Sequence, residues 1–348
     1  MTSRRIRHID LALQGGGAHG AFTWGVLDRL LEDERIEIDA ISGTSAGAMN
    51  AVVLADGLMT GGREGAREAL RRFWSRVSNA SGRGPMVPQA LGAFFGNWSL
   101  EGSPLGMYLD WVGRSLSPHQ MNPLDINPLR DILVAEVDFE RVRGCNKVRL
   151  FVSATNVRTG ALKEFRQSEL SANAVMASAC LPLLFRAVEI DGEAYWDGGY
   201  LGNPSLLPLI SESPAHDLVL VQINPSRREA LPTTAADILD RLNEITFNSS
   251  LVKELRSVAL LQQLLRLEGV PPGAGRASLF TQVAALRMHR IEAEAELAGL
   301  GAASKLNAGW PFLTRLHRIG HRAAQAWLET NFTHLGRRST LALEPFLT

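Results

Sequence analysis

The sequence lacks the features that mark several large classes of protein. It has two cysteines, too few for a disulfide framework, so a reducing compartment is expected. It has no apolar run as long as a transmembrane helix, and no signal-peptide core of the usual length follows its basic first residues. Its formal net charge is +0, which gives no reason to expect bulk attraction to nucleic acid. We therefore expect a cytoplasmic protein without a nucleic-acid partner. Export without a cleaved signal and the oligomeric state stay open.

The length and composition allow one large α/β domain with an extension, or two domains. Hydrophobic residues make up 45% of the 348 residues, so the chain can bury a sizeable core. We predict a main domain over residues 1–228 and a mainly helical C-terminal extension over residues 229–348, with the boundary near Pro225–Pro232.

An insertion interrupts the main domain at about residues 78–123. This stretch is rich in Gly, Pro, Ser and Asn, yet it carries aromatic side chains such as Phe94, Phe95 and Trp98. We expect it either to pack a small core of its own or to form an apolar wall over a functional site, because long loops beside a site are often functional.

The stretch Gly43-Thr44-Ser45-Ala46-Gly47 has the spacing G-x-S-x-G. A strand pattern precedes it and a helix pattern follows it, which is the context of the nucleophile elbow of serine hydrolases. A serine on so sharp a turn has close neighbours, and glycine at positions 43 and 47 removes side chains that would clash. The same five letters also occur in strand–helix turns that carry no chemistry.

A second glycine-rich stretch, Gly15-Gly16-Gly17-Ala18-His19-Gly20, joins the first predicted strand to the first predicted helix. It can be aligned with G-x-G-x-x-G, but no G-K-[ST] follows and no acidic residue ends the next strand as in dinucleotide sites. An oxyanion hole is the preferred interpretation, since bare backbone N–H groups can face a developing negative oxygen. Both loops are expected at the carboxyl edge of a parallel sheet.

A third stretch, Asp197-Gly198-Gly199, ends the second arm of a predicted hairpin. Asp-Gly-Gly is common in turns. Beside a nucleophile and oxyanion donors, however, its carboxylate becomes a candidate base. The other candidate base is a histidine in the order Ser, Asp, His. His216 is the next histidine, but it precedes a predicted buried strand, and if that strand is parallel Ser45 lies at the opposite edge of the sheet.

Taken together and in this order, the three stretches resemble the patatin-like phospholipase family of lipid acyl hydrolases. A fourth stretch, Ala177 to Phe185, resembles the segment that joins a helix to a proline before the family's hairpin. The resemblance covers residues 8–224 or so. It implies a three-layer α/β, hydrolase-like fold with a mostly parallel central sheet flanked by helices, followed here by a helical C-terminal extension.

The resemblance also implies a role for each matching residue. Ser45 would be the nucleophile and Asp197 its general base, forming a Ser–Asp dyad, and the loop from Gly15 to Gly20 would form the oxyanion hole. Where this chain has His19, the family usually has Arg or Lys. A neutral histidine would give the oxyanion less electrostatic help and a protonated one more, so activity could depend on pH.

The predicted function is therefore hydrolysis of lipid acyl esters through an acyl-serine intermediate, without metal or cofactor and with transient contact to a membrane surface. A carboxylesterase, thioesterase or polyester depolymerase could use the same dyad, and a non-catalytic scaffold at the membrane could keep the fold. His317 and His321 have a spacing that can bind metal, but Arg318 stands where H-E-x-x-H requires Glu. We prefer two histidines on a partly exposed helix.

Overall fold

A mixed β-sheet lies at the centre of the protein. It is seen in a computed structural model that describes residues 6–81, 117–122, 125–228, 231–269, 278–297 and 299–347. The eight strands of the sheet are β1 (Arg7–Leu13), β2 (Ile36–Gly43), β3 (Arg149–Asn156), β4 (Leu162–Arg166), β5 (Val188–Ile190), β6 (Glu193–Asp197), β7 (Asp217–Val221) and β8 (Arg287–Ile291). Their order is β5-β6-β3-β2-β1-β7-β8, and β4 pairs with β3 beside β6.

The strand directions bring the predicted motifs to one edge of the sheet. The pairs β3–β2, β2–β1, β1–β7 and β7–β8 are parallel. The pairs of β3 with β4 and β6, and of β5 with β6, are antiparallel. The carboxyl ends of β1 and β2 therefore lie side by side, and the chain leaves each of them into one of the two glycine-containing loops.

Helices flank the sheet. They are α1 (Gly20–Glu32), α2 (Ala46–Ser81), α3 (Pro118–Met121), α4 (Pro128–Glu136), α5 (Phe139–Arg143), α6 (Ala172–Ser178), α7 (Leu207–Glu212), α8 (Ala235–Leu267), α9 (Leu279–Ala285), α10 (Glu294–Leu297) and α11 (Trp310–Asn331). The α2 run is kinked at Gly61 and Gly62, whose backbone angles are not helical. Within the described ranges, no helix is both long enough and apolar enough to cross a bilayer.

Alternating strand residues divide the apolar core into two layers. Ile9, Leu11 and Leu13 of β1 pack into one hydrophobic cluster with α1 and α2, while Ala12 packs into a second cluster with α8. Because successive side chains of a strand point to opposite faces, both faces of the sheet are covered. The expected three-layer α/β fold, with helices in the C-terminal region, is confirmed.

The C-terminal region is built into the same sheet. Strand β8 lies parallel to β7 at the edge, and α11 packs against α1 so closely that a Cβ atom on Gly25 would lie 1.9 Å from the carbonyl oxygen of His317. The division of the chain near residue 228 stays a prediction, and the sheet runs across it.

Two local expectations need comment. The sequence predicts a helical pattern from Thr233 to Leu267 that is interrupted near Asn248-Ser249-Ser250. The predicted interruption is wrong, because α8 is continuous from Ala235 to Leu267. Of the predicted insertion at 78–123, the end of α2 and the short α3 are described. Phe94, Phe95 and Trp98 lie outside the described residues, so the insertion's role stays a prediction.

Asp217 links β7 to the C-terminal region. Its carboxylate accepts hydrogen bonds from Arg287 Nε at 2.9 Å and from the Gly336 N–H at 3.0 Å, and it lies 3.0 Å from His289 Nε2. Burial raises the pKa of Asp217, but the hydrogen bonds from His289 and Arg287 outweigh that effect and lower the pKa to about 2. The ionised carboxylate therefore stabilises the fold.

Replacing this carboxylate should change how the stability depends on acid. A carboxyl group whose pKa is lowered on folding stabilises the protein above its unfolded pKa and loses that effect as the pH falls through the folded pKa. Between pH 4 and pH 2 the wild type should lose about 2 kcal/mol more of unfolding free energy than Asp217→Asn, because one pKa unit corresponds to about 1.4 kcal/mol. Urea titrations across this range measure the difference, and parallel pH dependences would contradict this role of Asp217.

Candidate active site

The sharp turn at Ser45 connects β2 to α2. Ser45 has a positive φ of 54°, a left-handed conformation that is uncommon for a residue with a side chain. A Cβ atom on Gly43 would lie 2.7 Å from the Gly47 carbonyl, and one on Gly47 would lie 2.3 Å from the carbonyl oxygen of Leu13. Glycine is therefore required at both predicted elbow positions by the close approach of the backbone.

Asp197 lies beside Ser45 although 151 residues separate them in the chain. Strand β6 ends at Asp197, which pairs with Ala154 on β3. The carboxyl group is buried and accepts a 2.7 Å hydrogen bond from the Gly199 N–H. The neighbouring Ser45 side chain lowers the pKa of this carboxyl group, and both residues line one pocket. The sheet order β6-β3-β2 thus brings the predicted nucleophile and the predicted base together.

Burial controls the charge of Asp197. It raises the pKa of this carboxyl group to about 7, although the Gly199 N–H, the Ser45 hydroxyl and the positive charge of Lys305 act in the opposite direction. A carboxylate with such a pKa can both take up and release a proton near neutral pH. This is the protonation behaviour that a general base needs.

The glycine loop lies against the same turn. A Cβ atom on Gly15 would lie 2.9 Å from the Cβ of Ser45. Gly17 has a φ of +58° and begins a short 3-10 turn that ends at His19, directly before α1. The first N–H groups of a helical turn have no partner inside it. Within the described ranges, no acceptor binds the N–H groups of Gly16, Gly17 or Ala18.

His19 is buried and neutral. Its Nε2 lies 2.8 Å from the Ser304 hydroxyl, and burial, followed by the charge of Lys305, lowers the pKa of His19 to about 3. Of the two alternatives for this position, the structure favours the neutral histidine, which brings no positive charge to the glycine loop near pH 7.

A network of buried amide side chains holds the loop in place. The Gly15 N–H donates to Asn203 Oδ1 at 2.7 Å, and Asn224 Nδ2 donates to the Gly15 carbonyl oxygen at 2.9 Å. Gln14 Oε1 accepts from the backbone N–H groups of Ile223 and Asn224. These residues were not predicted. Their only sequence signal is that Gln14 and Asn224 follow apolar strands, where a polar residue is expected in any case.

The turn at Ser45 has a further partner that the sequence did not indicate. The Ser45 backbone N–H donates a 2.8 Å hydrogen bond to Ser178 Oγ at the end of α6. Asp197 is tied to the same region, because its N–H donates to the carbonyl oxygen of Cys180 at 2.8 Å. Helix α6 and the residues after it therefore fix the two predicted dyad residues relative to each other.

A pocket opens at these residues. Its lining includes Ser45, Asp197 and three residues of the glycine loop, Gly16, Gly17 and Ala18. The rest of the lining is mostly apolar and includes Met49, Phe73, Trp74, Val77, Leu129, Leu181, Phe247 and Leu306. Phe247 belongs to α8, and Lys305 and Leu306 lie just before α11. The C-terminal region therefore contributes to the pocket, which the sequence had not indicated.

The other histidines lie elsewhere. His216 immediately precedes β7, which is parallel to β1, so it sits at the opposite end of the sheet from Ser45. His289 is buried on β8 between Asp217 and Thr340. Neither reaches the pocket.

The pair His317 and His321 is part of an ionic cluster between helices. His317 Nε2 lies 3.0 Å from Asp28, and His321 Nε2 lies 3.2 Å from Glu32. Ligand atoms of Asp28, Glu32 and His321 come within 4.8 Å of one another, a spacing that could hold a metal ion. Arg67, however, donates to both carboxylates, at 2.6 Å and 2.9 Å, and already supplies the positive charge that they need.

Both cysteines are buried as free thiols.

Three comparisons relate this chain to known proteins. A family model described as "Patatin-like phospholipase" matches residues 11–210, more than half of the 348 residues. No curated protein matches the chain. Among solved structures, VipD from Legionella pneumophila is 16% identical with a TM-score of 0.35, and the match covers 98% of this chain and 79% of that one. The complex of full-length ExoU with SpcU from Pseudomonas aeruginosa gives 14% identity and a TM-score of 0.28, covering 76% of this chain and 59% of that one.

The raised pKa of Asp197 should be visible in the stability of the protein. Between pH 4 and pH 7 the folded state keeps a proton that the unfolded chain has lost, so this group makes stability fall as the pH rises. Asp197→Asn cannot titrate and should lack that decrease. Urea unfolding of both proteins across this range measures the effect, and identical slopes would mean that the carboxyl group ionises at its usual pH.

Proposed function

The chain belongs to the patatin-like phospholipase family, and from this premise we propose that it is a serine hydrolase that cleaves acyl esters of phospholipids or other lipids. One observation carries the proposal. In a mostly apolar pocket, the Ser45 side chain lies next to the buried Asp197 carboxyl group and next to backbone N–H groups of the glycine loop. A nucleophile, a base and oxyanion donors are the parts that acyl transfer needs.

In the first half of the reaction, Ser45 Oγ attacks the carbonyl carbon of the ester while the Asp197 carboxylate takes the hydroxyl proton. The carbonyl oxygen becomes an oxyanion, and the N–H groups of Gly16, Gly17 and Ala18 stabilise its charge. When the tetrahedral intermediate collapses, the bond to the leaving alcohol breaks. Asp197 gives its proton to that alcohol, and the acyl group stays on Ser45.

In the second half, water replaces the alcohol. Asp197, again ionised, takes a proton from a water molecule, which attacks the acyl carbon of the Ser45 ester. The oxyanion forms beside the same N–H groups. Collapse breaks the bond to Ser45 Oγ, which regains a proton from Asp197, and the fatty acid is released. Asp197 thus needs a pKa near the working pH in both halves.

The lining of the pocket supports an acyl chain as the part of the substrate that it binds. Burying each methylene against apolar side chains contributes about 0.8 kcal/mol. Carboxylic esters of short acids, thioesters and polyesters could react through the same dyad. A panel of phospholipids, glycerides, thioesters and short esters, with products identified by mass spectrometry, distinguishes these substrates.

The dyad predicts the effect of two substitutions. Ser45→Ala should lower the rate of hydrolysis by about 10⁴-fold or more, because it removes the nucleophile. Asp197→Asn should lower it by about 10² to 10⁴-fold, because an amide cannot accept the proton. Labelling by a fluorophosphonate probe should fail in Ser45→Ala and be slow in Asp197→Asn.

His216→Gln is the matched control and should keep turnover within about tenfold of the wild type, below the loss expected for a general base. A His216 variant as inactive as Ser45→Ala would make the site a triad. A wild-type protein that neither reacts with the probe nor hydrolyses any ester in the panel would instead support a non-catalytic scaffold.

An exposed apolar face on α8 supports the proposed contact with a membrane surface. Half of the large hydrophobic side chains that are exposed in the described residues lie on this one helix. They are Ile238, Leu239, Leu242, Ile245, Val252, Leu260, Leu261, Leu264 and Leu267. Exposed apolar patches of this kind mark interaction surfaces. Asn243 and Phe247 of the same helix line the pocket, so the apolar face lies next to the place where a lipid would react.

The first part of α8 carries both acidic and basic side chains, but the charges on its second part favour an anionic lipid surface. From Ile245 to Leu267, the cationic side chains are Lys253, Arg256 and Arg266. The one acidic residue of that stretch, Glu254, accepts a 2.6 Å hydrogen bond from the Leu206 N–H and faces the protein. Apolar and basic side chains on one helix face fit the boundary between acyl chains and anionic head groups.

The double variant Leu242→Glu, Ile245→Glu should bind vesicles of phosphatidylglycerol and phosphatidylcholine at least about tenfold more weakly, because it places two charges in the apolar boundary. Its hydrolysis of a soluble short-chain ester should stay within about twofold of the wild type. Vesicle sedimentation and the ester assay measure the two properties.

Val134→Glu changes an equally exposed apolar residue on α4 and serves as the control. Unchanged vesicle binding by the double variant would exclude α8 as the lipid contact. If the double variant instead converts a dimer into a monomer in light scattering, the face is an interface between two copies of the chain.

A further inference from the structure

Lys305 reaches the pocket from the C-terminal region. It lies on a 3-10 turn, Ala302–Leu306, that packs directly against the glycine loop. A Cβ atom on Gly17 would lie 2.4 Å from the Lys305 carbonyl oxygen. The Lys305 side chain lines the pocket together with Ser45 and Asp197. It is therefore part of the same site, 260 residues after the serine in the chain.

The ammonium group is held by the network that fixes the glycine loop. Lys305 Nζ donates a 2.7 Å hydrogen bond to Asn224 Oδ1, and Asn224 Nδ2 donates to the Gly15 carbonyl oxygen. Nζ also lies 5.8 Å from the centre of the Phe247 ring, within the range of a cation–π contact. These contacts fix the position of the charge relative to the loop.

The charge of Lys305 is only partly compensated. A lysine ammonium can donate three hydrogen bonds, and within the described ranges Lys305 Nζ has one hydrogen-bond acceptor and no ion pair with a carboxylate. Burial lowers the pKa of Lys305. Glu244, the carboxylate with the largest electrostatic effect on Lys305, is already paired with Arg228 and Arg241. Lys305 is half-buried at the edge of the pocket, and its ammonium group has donors left for a negatively charged group in the site.

We propose that Lys305 is the electropositive group of this active site, stabilising the ionised carboxylate of Asp197 before the reaction and the oxyanion beside the glycine loop during it. The inference rests on the proposed hydrolase function. It also gives the C-terminal region a role, since that region supplies the charge that neutral His19 does not bring to the loop. Lys305 acts on Asp197 through space, as a positioning residue, while Asp197 transfers the proton.

Several charged or titratable groups lie around Asp197 and Lys305, and a pH experiment must distinguish their titration from that of Asp197. They are His19, Cys180, Tyr200, Arg228, Asp240 and Glu244. The pKa of His19 is lowered to about 3 and that of Cys180 is raised to about 12, so neither changes charge between pH 5 and pH 9. Burial raises the pKa of Tyr200 further above that range. The acid limb of the rate profile in this range therefore reports Asp197.

The test compares Lys305→Met and Lys305→Arg with the wild type on a soluble ester that the wild type hydrolyses. Methionine keeps the length of the side chain and removes the charge. We expect Lys305→Met to lower kcat/KM by about 10- to 100-fold, mainly through kcat, which is below the loss of a whole oxyanion donor. The acid limb should move to higher pH by about half a unit or more, because a nearby cation favours the charged carboxylate. Lys305→Arg keeps the charge and should retain most of the wild-type kcat/KM and the wild-type midpoint of the acid limb.

Lys147→Met, on an exposed lysine, is the matched control and should change neither quantity. Thermal unfolding checks each variant, and Lys305→Gln replaces Lys305→Met if the latter does not fold. The inference is overturned if the neutral variant keeps the wild-type rate and midpoint, or loses rate without any shift of the midpoint. A wild-type protein that hydrolyses no ester and does not react with a fluorophosphonate would contradict the proposed function itself, a result distinct from either of these.

Discussion

The site depends on keeping one carboxyl group out of water beside one hydroxyl group. Burial of Asp197 without a directly paired cation is unfavourable for its charged form, which is why its pKa rises to about 7. The fold limits the cost by supplying the Gly199 N–H as a donor and by fixing the strand that carries Asp197 to β3. The proposed chemistry needs this intermediate condition, because a fully solvated carboxylate would be a weak base and a fully isolated one would stay protonated.

The same edge of the sheet collects buried polar groups that satisfy one another. Gln14, Asn203 and Asn224 bind the backbone of the glycine loop and of the strand beside it. Buried polar groups require such partners, and here the partners also determine where the loop's N–H groups can point. The rigidity of the proposed oxyanion site therefore comes from side-chain amides, while the glycines allow the loop to pass close to Ser45.

The parts of the fold that could be predicted are those encoded by neighbouring residues. The turn at Ser45 follows from a local pattern, and so does the hairpin that ends at Asp197, whose turn residues Asp191 and Gly192 both have positive φ. The three-layer class follows from the resemblance to the family. The predicted break in α8 failed because Asn248 makes tertiary hydrogen bonds to Gln14 and Pro225, which override its poor helix propensity. The roles of Ser45 and Asp197 stay predictions until the chemistry is measured.

Lys305 could not be predicted because no local pattern marks it. Its place depends on β8 pairing with β7 and on α11 packing against α1, contacts between parts of the chain far apart in sequence. Those contacts direct the turn before α11 onto Gly17, where the tight fit leaves room only for a glycine with positive φ. The glycine at position 17 therefore serves two functions at once, since it frees a backbone N–H and also admits the segment that carries the cation. In this chain, the glycine loop that resembles the family's oxyanion loop is therefore also the surface against which the C-terminal region packs.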